Sequence, residues 1–196
     1  MQVKKVIILG PESTGKSTLC EQLATHFNTL WCPEFARQYL EQNGPSYTYD
    51  DLLIIANGQL SLEEKYTKEL NKTKSSEKHQ TFNSVLFLDT DMHVIKVWSE
   101  FVFGKCHSFI LDKLADQHAD LYLLCNIDLP WVMDNLREYP DLESRQQLFH
   151  IYKDLLENQK IPYRIISGNN EQRMNEAIGE VDQIILQHQA TTSFGD

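Results

Sequence analysis

Hydrophobic positions gather in five short runs, at residues 6–9, 29–32, 85–88, 121–125 and 163–166, with longer stretches of mixed polarity between them. Three of the runs are near-continuous apolar blocks, the pattern of strands buried on both faces of a parallel sheet. The intervening stretches are compatible with helices, so a β-α-β alternation with right-handed crossovers is expected. Pro33 suits the first turn of a helix reaching about Gln42, which Asn43-Gly44-Pro45 then stops. Residues 50–74 read as one long helix or two, apolar early and charged later. In that stretch Glu63, Glu64, Lys65, Lys68, Glu69 and Lys72 predict a solvated, ion-paired face. Residues 74–83 are polar and read as a loose loop. No repeat, low-complexity block or linker divides the chain. One domain over residues 1–190 is expected, with a flexible tail at 191–196.

In an open parallel sheet, ligands bind beyond the carboxyl ends of the strands. The chemistry should therefore follow each apolar run. After the first comes Gly10-Pro11-Glu12-Ser13-Thr14-Gly15-Lys16-Ser17-Thr18, which contains the G-x-x-x-x-G-K-S phosphate loop between a strand and a helix-compatible segment. Its glycines let successive N–H groups turn inward toward phosphate oxygens, and the helix start adds a positive field. Lys16 can reach the β- and γ-phosphates, and the Ser17 hydroxyl can bind Mg²⁺. The expected ligand is ATP with Mg²⁺, although nothing in the sequence excludes GTP.

The other strand ends are also polar. Glu34 and Arg37 open a helix three residues apart, where they can clamp a substrate or simply serve the helix dipole and the surface. Asp89 ends the third run as a Walker-B carboxylate would, able to hold Mg²⁺ or to accept the proton of an attacking hydroxyl. Asp91 is a second site carboxylate or, like Thr90, a helix cap. Spacing alone does not decide which of Glu34, Asp89 and Asp91 is the base; Asp89 ranks first and Glu34 second. Arg137 and Arg145 flank a polar segment between two helical stretches, a lid at about residues 128–146 that can bring positive charge to a transferring phosphoryl group. Trp131 reads as a core anchor or, second, as a stacking residue. Ser167, Gly168 and Asn169 can meet the adenine edge through backbone groups, or form a turn and cap.

Bulk composition narrows the partners. The chain has 196 residues, 41% of them hydrophobic, and a formal net charge of −10. That suits one α/β core and argues against nucleic acid or anionic membrane as partner. No run approaches the roughly 18 apolar residues of a membrane span, and cleavage in the first run would destroy the phosphate loop, so a cytoplasmic protein is expected. Cys20, Cys32, Cys106 and Cys125 are widely spaced and predict free thiols. Cys106-His107 lacks the second pair that a zinc site needs.

Four blocks in order carry a resemblance: the phosphate loop through Thr18, Glu34-Phe35-Ala36-Arg37-Gln38-Tyr39, Leu88-Asp89-Thr90-Asp91, and Pro130-Trp131-Val132-Met133-Asp134-Asn135-Leu136-Arg137. Over roughly residues 3–170 the chain resembles the ribosylnicotinamide kinase domain of bacterial NadR-type proteins. The resemblance implies a P-loop nucleoside/nucleotide kinase fold: a three-layer sandwich with a five-stranded parallel sheet, helices on both faces and an arginine-bearing lid. It also implies transfer of the ATP γ-phosphate to the 5′-hydroxyl of nicotinamide riboside. The phosphate loop would bind ATP, Glu34, Arg37, Asp89 and Asp91 would meet substrate, Ser17 and Asp89 would hold the metal, and Lys16, Asp89 and Arg137 would be catalytic. Two departures stand out. The sequence has no H-x-G-H string of the adenylyltransferase that usually accompanies this kinase, so a further step to NAD is not expected. The lid has Asn135 where relatives commonly carry Gly. Two rival readings are a kinase of another nucleoside or nucleoside monophosphate, and a regulatory ATPase that binds a protein partner. Oligomeric state is not legible.

Overall fold

A computed structural model describes residues 3–76 and 85–192. Each apolar run becomes a strand: β1 (Lys4–Leu9), β2 (Leu30–Cys32), β3 (Val85–Asp89), β4 (Leu121–Cys125) and β5 (Tyr163–Ile166). They form one sheet in the order β2-β3-β1-β4-β5 with every pairing parallel. The register sets Ile8 opposite both Asp89 and Leu123, so the carboxyl ends of the three central strands share one rim.

Period-2 alternation with both faces covered explains the unbroken apolar runs 6–9, 85–88 and 121–125 of the central strands. Val6, Ile8, Phe87, Leu123 and Cys125 point to one face, under α1 (Lys16–His26) and α7 (Asn170–Thr192). Ile7, Leu9, Leu86, Leu88, Tyr122 and Leu124 point to the other, under α3 (Asp51–Ser76), α4 (Met92–Phe103) and α6 (Leu142–Asn158). Burying each such side chain contributes about 1.5–3 kcal/mol, so both faces need helical cover. A satellite cluster joins α2 (Phe35–Asn43), α3, α4 and α5 (Ser108–Asp116) beside the β2 edge, through Ala36, Leu52, Ile55, Met92, Ile95 and Ile110. The result is the expected three-layer α/β sandwich.

Several local expectations change. The second helix begins at Phe35, and Pro33 lies outside it in the turn from β2. Residues 51–76 form one helix, so 74–76 are helical; 77–83 of the expected loop lie outside the described residues. On α3, Glu64 and Lys68 do pair at the surface. Glu63 instead is only 8% exposed and meets Lys5 Nζ of β1 at 2.6 Å, because this face of the helix packs on the sheet. The last helix runs to Thr192, two residues into the expected tail, and 193–196 lie outside the described residues. Cys20, Cys32, Cys106 and Cys125 are free thiols. Among the described residues no helix is long and apolar enough to cross a membrane.

Candidate active site

A cleft of about 320 Å³ lies at the carboxyl rim of the sheet. The phosphate loop forms its floor. Gly10 has φ 140°, and a Cβ there would sit 2.8 Å from the carbonyl oxygen of Cys125, so only glycine lets the loop pass this close to β4. Gly15, at φ 78°, is the left-handed residue from which α1 starts. Thr14 is fully buried and bonds the Pro11 carbonyl at 2.7 Å, which ties the loop into a closed curl. Lys16 Nζ donates to the same carbonyl oxygen at 2.9 Å. From behind, the buried Arg173 donates to the Thr14 carbonyl at 2.9 Å, to Asn126 O at 2.9 Å and to Gly168 O at 2.8 Å, and it pairs with Asp128.

The two candidate acids from β3 are turned apart. Between them Thr90 has φ 96°, a conformation that costs a β-branched residue of order 1–3 kcal/mol. Asp89 is 2% exposed, and burial raises its pKa while Lys16 and a hydrogen bond from Ser17 pull it back down. Its Oδ1 has no hydrogen-bond partner among the described residues. A buried carboxylate oxygen left open beside Ser17 is what an Mg²⁺ site held mainly by phosphate oxygens requires, so these residues fit the ion. Asp91 does not line the cleft, which corrects its expected substrate role and bears out the other expectation, a helix cap. Its Oδ1 caps α4 through the N–H groups of His93 and Val94, and its Oδ2 lies 2.7 Å from His93 Nδ1.

Glu34 does line the cleft. Loss of solvent and the nearby Asp89 carboxylate push its pKa up to about 7, against the pull of Lys16 and Arg37. Arg37, on the next turn, reaches across to Asp134 Oδ2 at 2.9 Å.

The expected lid lies over the loop, but only its last residues are helical. Residues 126–141 contain no helix, because Pro130, Pro140 and a turn from Asp134 to Arg137 break the chain. Asn135 sits in that turn. Two phosphate-loop side chains hold this strap. Glu12 Oε2 accepts from Glu138 N at 2.9 Å and Tyr139 N at 3.1 Å, while Ser13 Oγ accepts from Val132 N at 2.9 Å and Arg137 Nη1 at 3.3 Å. Arg137 therefore stands directly beside the loop. Trp131 is not a core anchor: the Arg137 and Arg145 guanidinium carbons lie 5.8 and 5.6 Å from its ring centre. Arg145 is buried and its Nε lacks a partner among the described residues.

The far half of the cleft is aromatic. Tyr47 and Trp98 meet edge-on with centroids 4.7 Å apart, and Phe101 and Tyr139 do so at 5.0 Å. Trp98 Nε1 donates to Tyr47 Oη at 2.7 Å, and Tyr47 in turn donates to Glu138 Oε2 at 2.7 Å. Sequence reading missed this wall, since aromatics on an apolar helix such as α4 look like core until their neighbours are known.

Ser167, Gly168 and Asn169 lie outside the main cleft, and each N–H is already taken, by Glu176, Asp128 and Gln172 respectively. The loop caps α7 and leaves no free N–H of these three for a base.

Comparison with known proteins agrees with this fold. The AAA domain family matches residues 5–173. The trifunctional NAD biosynthesis/regulator protein NadR of Escherichia coli (strain K12) is 30% identical over 165 residues, covering 82% of this chain and 37% of its own. The chain thus spans little more than a third of that relative. A crystal structure of NadR protein in complex with NR superposes with a TM-score of 0.74 at 24% identity, over 93% of this chain and 50% of the other. Thymidylate kinase from Ehrlichia chaffeensis gives a TM-score of 0.66 at 14% identity, over 93% of this chain and 100% of its own.

Proposed function

The chain belongs to the AAA domain family of P-loop proteins, and we propose that it is a kinase that moves the γ-phosphate of ATP to the 5′-hydroxyl of nicotinamide riboside. The observation that carries this reading is an aromatic chamber opening directly onto a phosphate loop, with carboxylates at the junction. A nucleoside fits such a cleft with its ring among Tyr47, Trp98, Phe101 and Tyr139 and its 5′-hydroxyl toward the loop. The nicotinamide ring of the riboside is a cation. Aromatic faces attract cations, and the Glu138 carboxylate hydrogen-bonded to Tyr47 adds negative charge at that wall. A neutral nucleoside gains neither term. The likeness to NadR in complex with NR, which we read as nicotinamide riboside, points the same way.

In the proposed reaction, the loop amides and Lys16 hold the triphosphate. Ser17 and Asp89 would hold Mg²⁺, which supplies charge neutralisation across the phosphates. Glu34 takes the proton of the 5′-hydroxyl as the oxygen–phosphorus bond forms and the bond to the β,γ-bridging oxygen breaks, with ADP leaving. Glu34 suits this task better than Asp89, since it faces the acceptor chamber and titrates near neutrality, whereas Asp89 is sealed against Ser17 and Lys16. Arg137, bonded to Ser13 of the phosphate loop, would stabilise charge on the moving phosphoryl group, and Arg37 steadies the strap through Asp134.

ATP turnover with Mg²⁺ and a panel of acceptors tests the assignment. Nicotinamide riboside should stimulate turnover more than nicotinic acid riboside, thymidine or deoxyadenosine. Greatest stimulation by a neutral nucleoside would transfer the role to that acceptor; stimulation by none would remove the kinase reading.

A further inference from the structure

We infer that Gln59 and Gly58 of α3 are the positioning device of the active-site carboxylate: they seat the turn 32–35 from outside and so fix the backbone from which Glu34 faces the cleft. This rests on Glu34 serving the reaction proposed above.

Glu34 is the residue flanking the start of α2, where a side chain commonly folds back to bond the second or third N–H of the helix. Its carboxylate makes no such bond. The Phe35 N–H, which precedes those a flanking side chain reaches, is held by Gln59 Oε1 at 2.7 Å, from a side chain that is 1% exposed. The Gln59 amide completes the grip with a 3.4 Å bond to Pro33 O and a contact of 3.7 Å to Cys32 Sγ. The turn is thus held on both sides of Glu34 by one buried amide. Gly58 supplies the second half of the seat. A Cβ there would lie 2.1 Å from Phe35 Cε1, so the phenyl ring rests where any other residue would place a side chain. The backbone of 33–35 is fixed against α3 without any contribution from the Glu34 side chain.

A glutamine buried where α3 meets the turn 32–35 has a purely structural explanation, as the partner of one buried N–H. The two roles differ in what they move. Gln59→Met keeps volume but loses both bonds, and Gly58→Ala forces the Phe35 ring off its seat. If the pair positions Glu34, both variants lower kcat by about 100-fold, the scale of an ångström-sized misplacement. The KM for ATP stays within twofold, because the phosphate loop makes none of these contacts. The Glu34 carboxyl, followed by ¹³C NMR of glutamate-labelled protein and assigned with Glu34→Gln, should titrate near 7 in the parent and at least half a pH unit lower in both variants. That readout needs no turnover. An unchanged carboxyl midpoint with unchanged kcat in Gln59→Met would overturn the positioning role even if Glu34→Gln abolishes transfer. Loss of ATP affinity along with kcat would mark the seat as general scaffolding and overturn it too. If Glu34→Gln itself leaves phosphate transfer intact, the base assignment fails, and the titration still decides whether the seat holds Glu34.

Discussion

Replacing Glu34 by Gln removes a titrating group while keeping its size, and the surroundings of that carboxyl set what should follow. Its pKa is about 7, against 4.5 for an ordinary glutamate. At 1.36 kcal/mol per unit this favours the neutral form by roughly 3 kcal/mol, an upper value for a group only partly shielded from solvent. A base of this kind must be ionised to act, so kcat/KM of the parent should fall about tenfold per unit of pH below 7. In Glu34→Gln that limb should vanish, with the plateau lowered by about 10²–10⁴-fold. Stability should move the opposite way. The folded chain keeps a proton that the unfolded chain releases above about 4.5, so this contribution is complete below 4.5 and is lost as pH rises through 7. Glu34→Gln should therefore be the more stable protein at pH 8, by up to roughly 3 kcal/mol, and should match the parent near pH 4. Initial rates across pH 5–9 and urea melts at the two pH values read both effects. A variant that keeps the acid limb, with kcat within threefold of the parent, would refute the role of Glu34 as base.

Other perturbations separate the parts of the site. Lys16→Ala should abolish phosphate transfer while the chain keeps its fold, checked by turnover and by circular dichroism. Trp98→Ala should raise KM for the acceptor by about 10-fold or more, on the scale of one lost aromatic–cation contact when desolvated, and leave KM for ATP nearly unchanged. Glu12→Ala leaves the Glu138 and Tyr139 N–H groups without their partner, so hydrogen exchange over residues 132–139 should speed up. Equal exchange in parent and variant would mean that the strap does not depend on this contact.

The strands were legible because a sheet covered on both faces demands unbroken apolar runs in its central strands, and the phosphate loop because Gly10 is forced by its close approach to β4 and Gly15 by its left-handed backbone. Resemblance also named Glu34, Asp89 and Arg137 among the site residues, and the structure sets all three around the loop. Asp91 shows where sequence runs out. It is two residues from Asp89, but the left-handed backbone at Thr90 sends it into α4 and His93. No local pattern announces such a turn at a β-branched residue. Glu63 misled because a charged stretch of helix gives no sign that Lys5 waits on a strand 58 positions away. The aromatic wall was hidden for the same reason: Tyr47, Trp98 and Tyr139 come from three separate segments and meet only in the fold. The helical stretch expected in the first part of the lid failed more simply, since Pro130 and the turn from Asp134 to Arg137 outweigh its apolar residues.

The decisive measurement is the mass of what the protein makes from nicotinamide riboside and MgATP. Nicotinamide mononucleotide formed one for one with ADP is the expected result. ATP hydrolysed at the same rate with and without the riboside, with no phosphorylated nucleoside in the products, would contradict it.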